Sequence, residues 1–325
     1  MDGKRRIKRM AARCEGNGYW RVPEMKIASV SVPRLFLGDH GFLQMYGSTL
    51  TTKEIVGRMQ YAVRKSSIGL AAGDERCLHA ARQSLQLTGR SNALLYHTDL
   101  RLKNGSQVVE FARAMKHLHG WLQERAPLKL QADPIVGRFL RQYAEYDGYD
   151  SRYLEKMDID LSAWSNDTKL ISQFRPRLVT FGGDILDFAI VTGRSDIVLQ
   201  GVEMMRAACD QLGALLFVTL YVASEAIRGS FIPPHLYDGM MVPINSKGHG
   251  MLPSQEQLLI RLKQLSKPVL AMHVLASGAL SPLEGLNYAY REGGATLTVV
   301  GASQHSHIES LISAGQQVLG NAEKG

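Results

Sequence analysis

The sequence predicts a single (β/α)8 barrel. Three observations carry that expectation. From about Ile27 onward short apolar runs alternate with longer amphipathic stretches, the pattern of parallel βα units. Most of the runs close on Gly, Asp or Ser, residues that end strands and cap helices. The third is negative: the first run lacks the Gly-rich fingerprint that would mark an open, dinucleotide-binding doubly wound sheet, the alternative architecture.

Taken in order, the first strand is Pro33 to Gly38, broken at Asp39-His40-Gly41. Thr51-x-x-Glu54 then forms a capping box, each side chain taking an amide the helix leaves free, and opens a helix to about Arg64. Ile68 to Ala72 is the second strand, ending at Gly73-Asp74 before a helix from Glu75 to Leu87. Ala93 to His97 is the third, followed by a polar loop and a helix over Val108 to Glu124. Leu128 to Ala132 is a strand candidate stopped at Asp133-Pro134, because proline has no N–H for the ladder. Residues 138–174 are polar, tyrosine-rich and without clear period, and are expected to form an insertion.

Regularity returns with Arg177 to Phe181, ending at Gly182-Gly183-Asp184, and the strongly apolar Ala214 to Leu220. Asp238 to Ile244 ends at Asn245-Ser246-Lys247, and Ser254-x-x-Gln257 caps the next helix. Pro268 to His273 leads to a Gly278 turn, where Ser281-Pro282-x-Glu284 joins a capping box to proline at the first helical position. Thr296 to Val300 runs into Gly301-Ala302-Ser303, and Ser306-x-x-Glu309 is expected to open the last helix. These are nine strand candidates for eight barrel places. Leu128 to Ala132 or Ala93 to His97 should lie outside.

The chain has 325 residues, 45% hydrophobic and 21% charged, with a net charge of +8. Residues 2–26 hold eight basic and three acidic side chains, so most of that charge is local. Residues 1–26 therefore read as a solvated, disordered basic tail ahead of one domain over 27–325, which disfavours nucleic acid as a partner. Cys14, Cys77 and Cys209 are too few and too scattered for a disulfide framework, which points to the cytoplasm. Runs such as Gly213 to Ala223 are too short to cross a bilayer. Nothing in the sequence sets the oligomeric state.

In such a barrel the chemistry sits at the C-terminal ends of the strands. Candidate catalytic residues are Asp39, His40, Asp74, His97, Asp99, Asp184, Lys247 and His273, with Arg76, Asp133, Tyr221, Glu225 and Asn245 as substrate contacts. Any one of them, Asp74, Asp184 or Ser303 in particular, could equally be a cap. Three constellations remain open. Lys247, following an apolar strand, could form a Schiff base. Asp39, His40, His97, Asp99, Asp133 and His273 could gather a divalent metal, although no HExxH or paired His spacing supports one, so no ligand set is assigned. Ser277, Gly278, Gly301, Ala302, Ser303 and Gln304 run into helix N-termini and could hold a phosphate or carboxylate. His305 and His307 are expected to face solvent.

The stretch Pro268 to Ala271, Gly278 to Pro282, Val299 to Ser303 and the Ile308-Glu309 helix resembles the end of aldo/keto reductase-type TIM barrels, and Arg34 to Gly38 suits their opening strand. The likeness covers about a quarter of the chain. It implies that the last two loops hold NADP. That family's Asp and Tyr after the second strand, Lys after the third and His after the fourth are not matched: the second strand gives Asp74-Glu75-Arg76 and the third ends in His97. The resulting expectation is an enzyme acting on a small anionic metabolite by acid–base or Schiff-base chemistry, of lyase, aldolase or isomerase type. An NADPH-dependent reductase is the second expectation and a non-catalytic scaffold the third.

Overall fold

The computed structural model describes residues 19–43, 49–90, 92–125, 141–143 and 145–320. Strands β1 (Glu24–Ile27) and β2 (Val30–Pro33) form an antiparallel hairpin. Eight strands then close a parallel barrel: β3 (Leu35–Gly38), β4 (Gly69–Ala72), β5 (Leu94–Thr98), β9 (Leu178–Gly182), β10 (Leu215–Thr219), β11 (Gly239–Pro243), β12 (Val269–Met272) and β13 (Leu297–Gly301), which returns to β3. Neighbours around the barrel are parallel throughout, so each strand is fed by a crossover and nearly all of its residues are buried on both faces.

The helices outside are α1 (Thr52–Lys65), α2 (Glu75–Leu87), α3 (Phe111–Arg125), α4 (Ser151–Glu155), α5 (Leu161–Phe174), α6 (Asp184–Val191), α7 (Ser195–Leu212), α8 (Ala223–Gly229), α9 (Gln255–Gln264), α10 (Pro282–Arg291) and α11 (His305–Leu319). The capping boxes at Thr51 and Ser281 form with both reciprocal bonds, and Ser254 accepts the Gln257 amide. The last helix departs from expectation. It starts one residue before Ser306, with Gln304 as an N-cap that makes no side-chain capping bond, while Glu309 accepts a hydrogen bond from Tyr61.

Strand alternation sorts the core into two populations. Leu35, Leu37, Leu94, Tyr96, Val179, Phe181, Leu216 and Val218 face the helices. Phe36, Leu95, Leu178, Leu215, Phe217, Leu270 and Leu297 fill the lumen together with Ile27, Val30 and Val32 of the hairpin, which corks the barrel at the N-terminal ends of its strands. Above them the inward places pass to Ala71, Met241, Met272 and Val299, then to His97, Thr180 and Thr219, and the lumen opens into a cavity.

Two expectations are corrected. Ala93 to His97 is not outside the barrel: it supplies β5, which pairs directly with β9, so eight strands close without the Leu128 to Ala132 candidate, which lies outside the described residues. Nor does a tail extend to residue 26. Trp20 is fully buried, donates its indole N–H to Gly320 and packs on Gly315 of α11, and β1 begins at Glu24; residues 1–18 lie outside the described set.

Between β5 and β9 the chain makes a long excursion. Strands β6 (Leu102–Asn104), β7 (Gln107–Val108) and β8 (Met157–Ile159) form a small antiparallel sheet. Helix α3 lies along α6, with the His117 ring 5.7 Å from that of Phe188. The excursion thus begins well before residue 138, and residues 161–174 are regular helix, capped by Asp160 and packed between α2 and α7. The tyrosines are partners for one another: Tyr149 and Tyr153 stack at 4.1 Å and Arg113 lies 4.2 Å over Tyr149. No described helix is long and apolar enough to cross a membrane.

Candidate active site

The cavity at the C-terminal ends of the strands has a volume of about 660 Å3. Its lining gathers Asp39, His40, His97, Asp99, Asp184, Tyr221, His273, Ser277, Gly278, Gly301 and Ala302 from the expected set. Asp74, Arg76, Glu225, Asn245, Lys247, Ser303 and Gln304 are not among its walls. Asp133 lies outside the described residues.

Each exclusion has a local cause. Asp74 is the N-cap of α2, accepting the Cys77 amide at 3.1 Å, and Arg76 is an exposed side chain 3.7 Å from it. Glu225 is paired with Arg228 one turn along α8. Asn245 is fully buried and spends its amide on both backbone groups of His249, at 2.9 Å each. Lys247 is exposed, without the desolvation that would free its amine. Gln304 is exposed, and Ser303 sits where Gly41 must pass close by.

Three of the strand-end carboxylates share one structural task. Asp39, after β3, accepts the Gly73 amide at 2.8 Å and, at 3.4 Å, that of Asp74 in the next βα turn. Asp99, after β5, accepts from its neighbour Leu100 at 2.7 Å and reaches across to the Ile185 amide at 3.0 Å and the Leu186 amide at 3.4 Å, the first turn of α6. Asp187, in α6, accepts from Tyr221 at 2.8 Å and Val222 at 3.4 Å in the turn after β10. Each carboxylate therefore latches the amides of the neighbouring loop around the barrel mouth. The Asp99 latch needs a bare backbone beside it. Gly183 has φ 141°, and a Cβ there would lie 3.3 Å from Asp99 Oδ2.

Asp184 is different. It opens α6, but the helix-end amides that would ordinarily serve it are taken by Asp99. Among the described residues its carboxyl has no hydrogen-bond partner, and it faces the cavity. Burial, with the Asp99 charge beside it, pushes its pKa up to about 7. Burial also raises Asp39, Asp99 and Asp187 above the usual carboxylate range, although their amide bonds pull the other way. The excursion contributes to this dry environment: Tyr143 lies close enough for the Asp184 charge to raise its phenol, after the larger effect of its own burial.

His97 and His273 are held neutral at physiological pH. Burial brings His97 and His273 down to about 4, with His40 adding to both. His97 Nδ1 is 2.9 Å from Thr180 Oγ1, and His273 Nε2 is 2.7 Å from the Tyr221 hydroxyl. His273 holds a left-handed backbone, φ 53°, as do Ala276 and Ser277 at 47° and 59°, so three non-glycine residues of the loop after β12 are strained where it meets the cavity. Cys77 and Cys209 are buried, with thiols pushed up to about 12, and are unsuited as nucleophiles.

Sequence reasoning missed the lumen threonines. Thr180 and Thr219 hold the topmost inward places of their strands, and Thr219 Oγ1 is buried with no hydrogen-bond partner. Asp187 does its work one helical turn inside α6. His307 is exposed, as expected, and also borders the cavity with Ser310 and Leu311 of α11. The alternation of β9 and β10 was the signal available for the threonines. Among the described residues no lysine or arginine lines the cavity, and no three His, Cys, Asp or Glu side chains converge as a metal site would require.

No protein-family model and no curated protein sequence matches the chain. Solved structures do. A Pseudomonas aeruginosa protein assigned as an aldo-keto reductase superposes with a TM-score of 0.52 at 13% identity, over 91% of this chain and 96% of that one. A second structure with the same assignment and organism gives 0.50 at 14% identity, over 90% and 93%. At such identities the likeness is one of fold: the chain is a (β/α)8 TIM barrel, similar in fold to those two proteins.

Proposed function

We propose that this chain is a barrel enzyme that moves protons on a small carbonyl or hydroxyl compound, with Asp184 as the exchanging group and the Tyr221–His273 pair as the hydrogen-bonding partner of the substrate oxygen. The observation that supports this reading is Asp184 itself. It is a strand-end carboxyl facing the cavity without a partner, with a pKa near the operating pH, where general acid and base catalysis are both efficient. Tyr221 with a neutral His273 behind it can donate to an oxygen as negative charge develops there, and neutral His97 can serve the same end from the opposite wall. The reaction class is then isomerase- or lyase-like. The exposed position of Lys247 argues against an imine. An acidic group on the substrate is best placed at the rim, beside His307, where α11 opens without a side-chain cap.

The test is solvent exchange. Small hydroxyketones and 2-oxo acids are incubated with the protein in D2O, and deuterium at the carbon next to the carbonyl is followed by NMR. Wild-type protein should exchange at least one of them, and Asp184→Asn should slow that exchange by about 100-fold or more. Equal rates in the two proteins would remove Asp184 from the chemistry.

A second reading rests on the volume of the cavity, about 660 Å3, whose lining includes Asp184 and His97 as well as His307, Ser310 and Leu311. A nicotinamide cofactor held there would supply a hydride, making the chain a reductase. The free first turn of α11 suits a phosphate. The lining offers no arginine or lysine among the described residues for the 2′-phosphate, so NADH fits better than NADPH. Saturable fluorescence titration with NADH would support this reading, and no binding of either cofactor would end it.

A further inference from the structure

Asp99 has a place in the chemistry that its hydrogen bonds alone do not explain. Its carboxylate lies in the cavity wall and accepts three backbone amides, two of them 85 or more residues away in the first turn of α6. A helix N-terminus normally stabilises a carboxylate placed on it, because free N–H groups and the dipole face it. Asp184 occupies such a place, yet the available amides are satisfied by another side chain. Asp99 therefore does two things to its neighbour at once: it removes the donors, and it supplies a like charge in their stead.

We propose that Asp99 is the positioning residue of the site, holding α6 by its first amides so that Asp184 is left without donors, beside a second carboxylate, as the group that exchanges protons with substrate. The inference rests on the reading of Asp184 given above. Asp99 itself never touches substrate in this scheme. Burial raises Asp99, but its three amide donors and nearby Arg101 work against that rise, whereas Asp184 has no such donors. The other groups facing Asp184 are Asp187 on its own helix and Tyr143 from the excursion, with His117 of α3 beyond, against Phe188. Burial and the neighbouring Asp184 and Asp99 charges raise Asp187 well above the usual carboxylate range, and none of these three donates a hydrogen bond to Asp184 among the described residues.

The test follows carboxyl carbons in full-length protein carrying 13C-labelled aspartate, over pH 4 to 9. The signal missing from Asp184→Asn identifies Asp184 and should titrate near 7 in the wild type. In Asp99→Asn, which keeps an acceptor oxygen but loses the charge, that midpoint should fall by about one pH unit or more. A midpoint that stays in place overturns the role of Asp99 while leaving Asp184 as the exchanging group. A wild-type Asp184 signal that titrates in the ordinary carboxylate range overturns the underlying reading as well. Should Asp99→Asn not fold, the wild type still decides the matter. The Leu186 amide nitrogen should shift with the titration of Asp99 and stay still through that of Asp184; an amide that follows Asp184 alone overturns the proposal.

Discussion

Replacing Asp184 with asparagine should stabilise the protein at alkaline pH while removing its activity. The sign follows from proton linkage. Asp184 titrates near 7 in the folded chain against an unperturbed 3.8, so the native state holds this proton more tightly than the unfolded state does. The stability it contributes is full below about pH 4 and is lost as pH rises towards 7. A difference of about three pH units corresponds to about 4 kcal/mol. Asp184 is partly exposed to the cavity, and solvent screening reduces this to roughly 2–3 kcal/mol. Asparagine has the same shape and no charge to bury, so the variant should match the wild type near pH 4 and exceed it by that amount at pH 8. For a chain of this size the gap is about 3–4 °C in Tm. Neutral His97 and His273 act in the opposite direction, contributing stability above about 6.5 that is lost as pH falls towards 4, but they are common to both proteins and cancel in the difference. The assay is thermal or urea unfolding of the pair at four pH values between 4 and 8. A gap that does not grow with pH, or a variant less stable at pH 8, would refute the assignment of a dry, partnerless carboxyl.

Three further outcomes are expected. Tyr221→Phe, which loses the hydrogen bond to His273, should still fold yet lose about 100-fold in exchange rate; unchanged exchange would place the substrate oxygen elsewhere. Thr219→Val should raise stability by about 1 kcal/mol in urea unfolding, because it removes a buried hydroxyl that has no partner, and a loss of similar size would reveal that the hydroxyl is satisfied. Lys247→Met should leave both exchange rate and unfolding midpoint unchanged, and borohydride should trap no adduct at this exposed side chain; loss of exchange would revive the imine.

The barrel was legible because its signals are local. Alternation of apolar runs, capping boxes at Thr51 and Ser281, and the cap at Ser254 are set by neighbours a few residues apart, and all of them recur in the fold. Strand ends also located the cavity, and most of its polar walls, by simple geometry. What could not be read was the division of labour among the carboxylates. Asp39, Asp99, Asp184 and Asp187 look equivalent in sequence, and only long-range pairing tells a latch from a free group: the partners of Asp99 lie 86 and 87 residues away. The long excursion was blurred for a related reason. Its order comes from packing α3 on α6 and from aromatic stacking at Tyr149 and Tyr153, contacts that leave no simple periodicity. The lumen threonines were missed because Thr180 and Thr219 sit in otherwise apolar runs, where only the inward alternation of β9 and β10 marks them.

The three carboxylate latches have a consequence for how this scaffold tolerates change. Each ties one βα loop to the next, so a loop cannot be exchanged by itself without breaking its neighbour's anchor. The long β5–β9 excursion escapes that constraint. Asp99 fastens the chain before the excursion departs, to the first turn of α6 just after it has returned, so the intervening segment can lengthen, shorten or be replaced without altering the spacing between the two fastened points. Variation there would tune what roofs Asp184, while the position of the carboxyl stays fixed by the strands. The barrel is thus built to accept grafts at one site and to resist them at the latched ones.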